Sequence, residues 1–207
     1  ILTNGELAGD FLETSPEQIF KNTGIKTRYV SAPKEIASDM AVKAAGKLFS
    51  EYTIDRNTVD FIIFCSEGFD YIAPASSCIM QDRLGLPKNI GCIDLPYGCS
   101  GYIYGLGIAN GLLAAGMAKN VLFLTADIPT KVIHKSDLEL RSIFSDIASA
   151  NLISKSNYNQ HFVFGTDGSG HKNLLVDHSG FRNPYDENKQ LDVDLPNGQM
   201  KMNSTEI

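Results

Sequence analysis

The sequence predicts an α/β layered fold with a mixed, mainly parallel sheet and a buried central helix. Val59–Cys65, Ile90–Leu95 and Asn120–Ala126 are short, nearly continuous apolar runs, the pattern of strands covered on both faces. Helical patterns alternate with them, as in α/β layered domains. The stretch Ser100–Gly116 carries Gly101, Gly105, Gly107, Gly111 and Gly116 with Ala109, Ala114 and Ala115. Glycine costs about 1 kcal/mol relative to alanine in a helix interior. Close packing between two layers is the compensation to expect.

Taken in order, residues 1–35 mix polar and apolar positions without a long period. Ser15-Pro16-Glu17 reads as a helix start, with Ser15 as cap and Pro16 in the first turn, and Thr23-Gly24-Ile25 as its stop. Ser38 or Asp39 is expected to cap the next helix, whose apolar face is Met40, Ala41, Ala44, Ala45, Leu48 and Phe49. After the first strand a loop runs from 66 to 74, and a helix from Ala75 to Leu84 is stopped by Gly85. The second strand leads through Pro96–Cys99 into the central helix, and the third follows it. Residues 127–137 read as a loop, and 141–150 carry no clear pattern. Asn151–Ser154 and His161–Phe164 read as a hairpin about the polar turn 155–160. The texture turns polar and Gly-rich after Gly165, which sets the expected organisation: 1–165 as the main domain and 166–207 as a polar connecting segment.

Of the 207 residues 43% are hydrophobic and 20% charged, with a net charge of −6, so a sizeable core is available. The absence of a basic cluster argues against nucleic acid and anionic membranes as partners. No apolar run approaches the roughly 20 residues of a membrane span, and no signal peptide is visible. The cysteines are Cys65, Cys78, Cys92 and Cys99; they form no CxxC pair and the histidines are scattered, so no metal site is expected. These features together predict a reduced, cytoplasmic chain.

Cys99 stands apart from the other three, which fall inside predicted strands or a helix and read as buried structural thiols. It occupies a tight strand-to-helix turn, Gly98-Cys99-Ser100-Gly101. The first turn of a helix there directs N–H groups and the positive end of the helix dipole at the sulfur, an arrangement that favours the nucleophilic thiolate. The flanking glycines admit a close substrate and permit unusual backbone angles. Gly165–Gly170 fits neither a phosphate loop nor a dinucleotide fingerprint and reads as a turn. Asp146 has no local partner, and no GxSxG elbow is present.

Several stretches resemble the β-ketoacyl-acyl carrier protein synthase III family of the thiolase-like superfamily. They are Ile1–Asn4 with Leu7; Thr23-Gly24-Ile25 with Arg28, similar to the TGIxxR signature; Ala37–Ala41 with Ala44 and Ala45; Asp94–Gly101 continuing through Tyr104–Leu106 and Ala109; and Phe144–Asp146 with Ala148 and Ala150. Gly165–Ser169 also has a counterpart. The resemblance implies a thiolase-like fold of which one of two pseudo-symmetric halves is complete here. It implies an acyltransferase of fatty acid biosynthesis. In it, Cys99 takes an acyl group from acyl-CoA for decarboxylative Claisen condensation with malonyl-acyl carrier protein, and its N–H supplies half of an oxyanion hole.

The same resemblance implies acyl-CoA and acyl carrier protein as partners, a homodimer, and no cofactor. It places Arg141 beside the CoA and Ala73 at the end of the acyl pocket, where some members have a Phe. Gln18 stands where some have a Trp against the CoA adenine, and Ser145, Ile147 and Ser149 replace glycines of an FGDGAGA motif. Because Ile1 opens the chain and the family's catalytic His and Asn lie in its second half, a piece that is inactive alone is expected. Two other functions are compatible with the residues: a non-catalytic interaction module, and a related enzyme of the hydroxymethylglutaryl-CoA-synthase-like or ester- or amide-forming kind.

Overall fold

A computed structural model describes residues 1–156, 161–177, 179 and 198–206. In chain order the elements are β1 (Leu2–Thr3), α1 (Asn4–Gly9), α2 (Pro16–Thr23), β2 (Thr27–Arg28), α3 (Ala37–Glu51), β3 (Phe61–Cys65), α4 (Ser76–Arg83), β4 (Gly91–Leu95), α5 (Gly101–Ala114), β5 (Asn120–Asp127), α6 (Leu138–Ile143), β6 (Ile147–Ser154), β7 (Leu174–Asp177) and β8 (Gln199–Met202). They form two compact units. One comprises Ile1–Val30, Pro129–Asp146 and Val163–Ile207; the other comprises Ser31–Ile128 and Ile147–Phe162. Much of the expected connecting segment (178, 180–197 and 207) and residues 157–160 of the expected hairpin turn lie outside the described residues.

The unit of Ser31–Ile128 and Ile147–Phe162 is built on a four-stranded sheet of order β4-β3-β5-β6. β3 runs parallel to β4, from Phe61↔Gly91 to Cys65↔Leu95, and parallel to β5, from Phe61↔Val121 to Cys65↔Thr125. β6 closes the other edge antiparallel, from Asn120↔Ser154 to Asp127↔Ile147. The sheet is therefore mixed and mainly parallel, as the sequence predicts. The expected hairpin is not formed. β6 pairs with β5 over its whole length, so its backbone groups are satisfied there, and residues 161–164 are not a strand; Val163 is almost fully exposed.

Side chains alternate across the sheet with the period of two that a strand imposes. Ile62, Phe64, Leu122 and Leu124 face α3 and α4 and pack with Ala41, Ala45, Phe49, Met80 and Leu84. Ile63, Cys65, Val121 and Phe123 face α5 and pack with Ala109 and Leu113. On α5 the fully buried stripe is Gly101, Gly105, Ala109 and Leu113, one residue every fourth position. Its first two members show why glycine is needed. A Cβ at Gly105 would lie 2.1 Å from the Phe123 ring, and one at Gly101 would lie 2.3 Å from the Cys65 sulfur. The close approach recovers what glycine costs the helix. Beside this stripe Ile103 is 49% exposed.

Some helix ends follow the sequence, as at Gly85 (φ +63°) after α4, and others depart from it. Ser15 caps α2 by accepting from the Gln18 N–H at 3.2 Å, and Gly24 ends that helix at φ +70°. The cap of α3 is neither Ser38 nor Asp39. Ile36 holds that position, Asp39 reaches back to the Ile36 N–H at 3.2 Å, and Ser38, fully buried, donates to Asp70 at 2.8 Å. α4 is capped from the sheet: Asp94 of β4 accepts from the Ser76 and Ser77 N–H groups at 2.6 and 2.8 Å. A carboxylate there also complements the positive end of the helix.

The other unit is organised around a buried arginine. Arg28, 1% exposed, donates through Nε to the Ser142 carbonyl at 2.8 Å and through Nη1 to Asn4 Oδ1 at 2.5 Å; Asn4 Nδ2 in turn donates to the Ile25 carbonyl at 2.9 Å. Burial lowers the guanidinium pKa, and these acceptors offset the cost of desolvating it. A small apolar cluster joins Ile133, Leu140 and Phe144 to Val176, Met200 and Met202 of the antiparallel β7/β8 pair.

Gly105→Ala tests the close approach of α5. The substitution gains about 1 kcal/mol of helix propensity but drives a methyl into Phe123. A net loss of roughly 1–3 kcal/mol, typical of overpacking, is expected in denaturant titrations. A variant as stable as the parent would refute the packing argument.

Candidate active site

Three parallel strands of one sheet end on the same side, and their outgoing loops gather there, the usual ligand position in open α/β sheets. β3 gives way to Ser66-Glu67, β4 to Pro96–Ser100, and β5 ends at Asp127. Cys99 is an exposed residue on the loop that follows β4, the edge strand of the three. The turn is closed by the Gly101 N–H donating to the Gly98 carbonyl at 2.9 Å, and the helix starts with the Ile103 and Tyr104 N–H groups on the Ser100 carbonyl. Among the described residues no acceptor takes the Cys99 N–H.

The expected unusual backbone angles are absent: neither Gly98 nor Gly101 has positive φ. Both glycines serve close approach instead. Gly101 admits the Cys65 sulfur, and a Cβ at Gly98 would stand 3.1 Å from the Glu67 carboxylate. The turn is braced on both sides. Tyr97 stacks on Tyr104 with centroids 4.7 Å apart, and Tyr102 stacks on Phe123 at 5.3 Å. The Cys65 thiol donates to the Tyr97 carbonyl at 3.1 Å. Burial, with Asp127 nearby, pushes the Cys65 pKa up to about 11, so this thiol stays protonated and acts as a brace, in keeping with its structural reading.

Two carboxylates missed by the sequence analysis belong to this strand-end cluster. Asp127 accepts from the Glu67 N–H at 2.9 Å and from the Ser66 hydroxyl at 3.3 Å. Burial, with the Glu67 charge beside it, raises its pKa to about 6. Glu67 lies over Gly98, next to Cys99. The available signal was positional: each carboxylate stands where an apolar parallel strand ends.

Ala73 is exposed on the connection that begins with Glu67, beside exposed Tyr71 and Ile72. Arg141 belongs to the other unit. Its guanidinium pairs with Asp10 at 2.8 Å, donates to the Lys135 carbonyl at 2.7 Å and lies over the Phe11 ring. Gln18 is exposed on α2 and donates to Asn22 at 2.8 Å. Asp146 does have a partner: its carboxylate accepts from the N–H and hydroxyl of Thr130 at 3.1 and 2.6 Å, and it is buried. Asp167 closes the turn at 165–170 by accepting from Ser169, as a plain turn requires. His178 lies outside the described residues. Among the described residues no group of three His, Cys, Asp or Glu could hold a metal ion, and no helix is long and apolar enough to cross a membrane.

The model of the family described as 3-oxoacyl-[acyl-carrier-protein (ACP)] synthase III matches residues 93–168, which include Cys99 and Asp127. A β-ketoacyl-[acyl-carrier-protein] synthase III of Sulfurovum sp. (strain NBC37-1) is 33% identical over 210 residues, a match covering 99% of this chain and 61% of that protein. The chain belongs to the 3-oxoacyl-[acyl-carrier-protein] synthase III family. A crystal structure of a 3-oxoacyl-(acyl-carrier-protein) synthase III superposes with a TM-score of 0.92 at 40% identity, covering 99% of this chain and 64% of that one. The 3-oxoacyl-(acyl-carrier protein) synthase from Burkholderia xenovorans LB400 gives 0.85 at 28% identity, covering 100% and 60%. The fold is thus the thiolase-like one of this synthase III family. The chain spans about three-fifths of the length of these relatives.

Asp127 makes stability depend on pH. Its folded pKa of about 6 lies above the ordinary 3.8, so the folded state binds the proton more tightly. That contribution is complete below about pH 4 and is lost as pH rises through 6. Relative to Asp127→Asn, the parent should lose on the order of 1–3 kcal/mol between pH 4 and 7. Parallel pH profiles of the two proteins in chemical denaturation would rule the shift out.

Proposed function

We propose that Cys99 is the acyl-accepting nucleophile of a synthase III-type acyltransferase. The observation that carries this is its exposed thiol on the turn between β4 and α5, at the carboxyl ends of the parallel strands. The Cys99 sulfur attacks the thioester carbonyl of acyl-CoA. A sulfur–acyl bond forms, the bond to the CoA sulfur breaks, and CoA leaves as its thiol with the proton that Cys99 gives up. The tetrahedral oxyanion between these states is met by the Cys99 N–H, which no other acceptor occupies among the described residues. The second half-reaction is a Claisen condensation. Malonyl-acyl carrier protein loses carbon dioxide, its carbanion attacks the acyl group, and the Cys99 thiolate is released. Splitting the exchange into two steps is what covalent catalysis contributes.

The donors for the malonyl thioester, a His and an Asn in the family, are assigned to no residue of this chain. Acyl-CoA and acyl carrier protein as partners, a homodimer, a cytoplasmic location and a place in fatty acid biosynthesis follow from the same proposal. Thiol-based acyl transfer of this kind uses no metal or organic cofactor. Ala73 is proposed to leave the end of the acyl pocket open to a chain bulkier than acetyl, and Arg141 to sit beside the CoA; its existing pair with Asp10 makes it a positioned cation.

Incubation with acyl-CoA followed by intact-mass analysis tests the nucleophile. One acyl group should appear on the Cys99 peptide, be removed by hydroxylamine as a thioester, and be absent from Cys99→Ser. A Cys99 that is neither acylated nor more reactive to iodoacetamide than exposed Cys78 would favour the non-catalytic module. Graded acyl-CoAs test Ala73: acyl transfer to Cys99 should be faster from branched or longer donors than from acetyl-CoA, and a strong acetyl preference would overturn that assignment.

A further inference from the structure

Near the ends of β3, β4 and β5, the carboxylates of Asp94 and Asp127 are spent on N–H and hydroxyl groups. That of Glu67 is not. Among the described residues it makes no hydrogen bond and no ion pair. Its backbone is nevertheless held firmly. The Glu67 N–H donates to Asp127 at 2.9 Å, and the Gly68 N–H beside it donates to the Ser66 hydroxyl at 2.9 Å. A fixed backbone therefore carries a charged head group with no structural partner.

The Cys99 turn defines where that head group lies. Ile63 and Cys65 face α5, and Glu67 continues their alternation two residues further on. Cys65 fills the space that Gly101 leaves, and Glu67 fills the space that Gly98 leaves: its Cδ, Oε1 and Oε2 would all stand 3.1–3.2 Å from a Cβ at Gly98. The carboxylate thus lies broadside against the residue before Cys99. Chain geometry alone then keeps it within about 11 Å of the Cys99 sulfur, whichever rotamer that side chain takes. Both residues are exposed. At this range one charge acts on another without contact, because Coulomb energy falls only with the first power of distance.

We propose that Glu67 is a specificity-determining residue, a fixed negative charge that disfavours anionic reactants at the Cys99 sulfur and so selects acyl groups that carry no charge at their far end. The inference rests on Cys99 as the acyl acceptor. Transfer brings the acyl chain to the sulfur, so a carboxylate at its end enters the field of Glu67, while an alkyl end meets no penalty. The negative charges of CoA are common to every donor and cancel when donors are compared. Glutamine has the shape of glutamate without its charge, so Glu67→Gln removes the selection and leaves no space behind.

The intact protein and Glu67→Gln are alkylated side by side with iodoacetamide and with iodoacetate, which differ by one negative charge. The rate at Cys99 is read by peptide mass spectrometry, with exposed Cys78 as internal reference. The ratio of iodoacetamide to iodoacetate rates at Cys99 should fall in Glu67→Gln by roughly threefold to tenfold at low ionic strength. The ratio at Cys78 should stay constant, and added salt should shrink the difference at Cys99. An unchanged ratio at Cys99 overturns the proposal. A second arm compares acylation of Cys99 by butyryl-CoA and by succinyl-CoA, whose acyl chains have equal length and end in a methyl and a carboxylate. Glu67→Gln should raise the succinyl rate relative to the butyryl rate by a similar factor, and a relative rate that does not move overturns the selection. A shifted alkylation ratio with no acylation from either donor defeats the reading of Cys99 as acyl acceptor and upholds the charge of Glu67 at the sulfur.

Discussion

The contact between α5 and the sheet at Gly101 and Gly105 sets the geometry on which the Cys99 turn depends. An aromatic ring and a sulfur occupy the places where side chains would otherwise stand. Phe123 and Cys65 are themselves fixed, each buried on a strand with paired neighbours on both sides. The start of α5 thus rests on the most rigid part of the unit. The turn before it has little freedom, because Gly98 and Gly101 close it and Cys65 holds the Tyr97 carbonyl. An exposed cysteine on a braced turn suits a nucleophile that must meet its substrate at a defined angle.

Acidic residues do two kinds of work along the same strand ends. Asp94 spends both carboxylate oxygens on the first N–H groups of α4 and so joins a strand to a helix on the opposite face from Cys99's helix. Asp127 ties the loop after β3 to the end of β5 through Ser66 and Glu67. Neither interaction is strong by area, but each satisfies polar groups that would be costly to bury unpaired. The loops around Cys99 are held by their ends.

The strands were legible because burial on both faces leaves a continuous apolar signature, and the strand-to-helix turn at Cys99 because an apolar run gives way there to a glycine-rich helix. α2 was legible because Ser15, Pro16 and Gly24 act within a few residues of themselves. What escaped was long-range. Asp94 caps a helix 18 residues earlier in sequence, Asp146 answers Thr130, and β6 is chosen by the open edge of β5 instead of by His161–Phe164. The glycines at 98 and 101 were correctly singled out for the wrong reason, since sequence shows that a side chain is missing and not which neighbour fills the space. The reach of Arg28 to Ser142 leaves no trace in either local sequence.

That last contact has a kinetic consequence. Arg28 and Ser142 are separated by 114 residues, and nearly the whole of the sheet-containing unit is synthesised between them. The segment around Asn4 and Arg28 is made well before its carbonyl partner. At roughly 5–20 residues per second, synthesis of the intervening chain takes on the order of ten seconds. Throughout that interval a cation destined for burial stays solvated. Closure then waits on a long loop whose entropy must be met before the guanidinium's hydrogen bonds form. The unit around Arg28 is therefore completed only after the chain between its parts has been made.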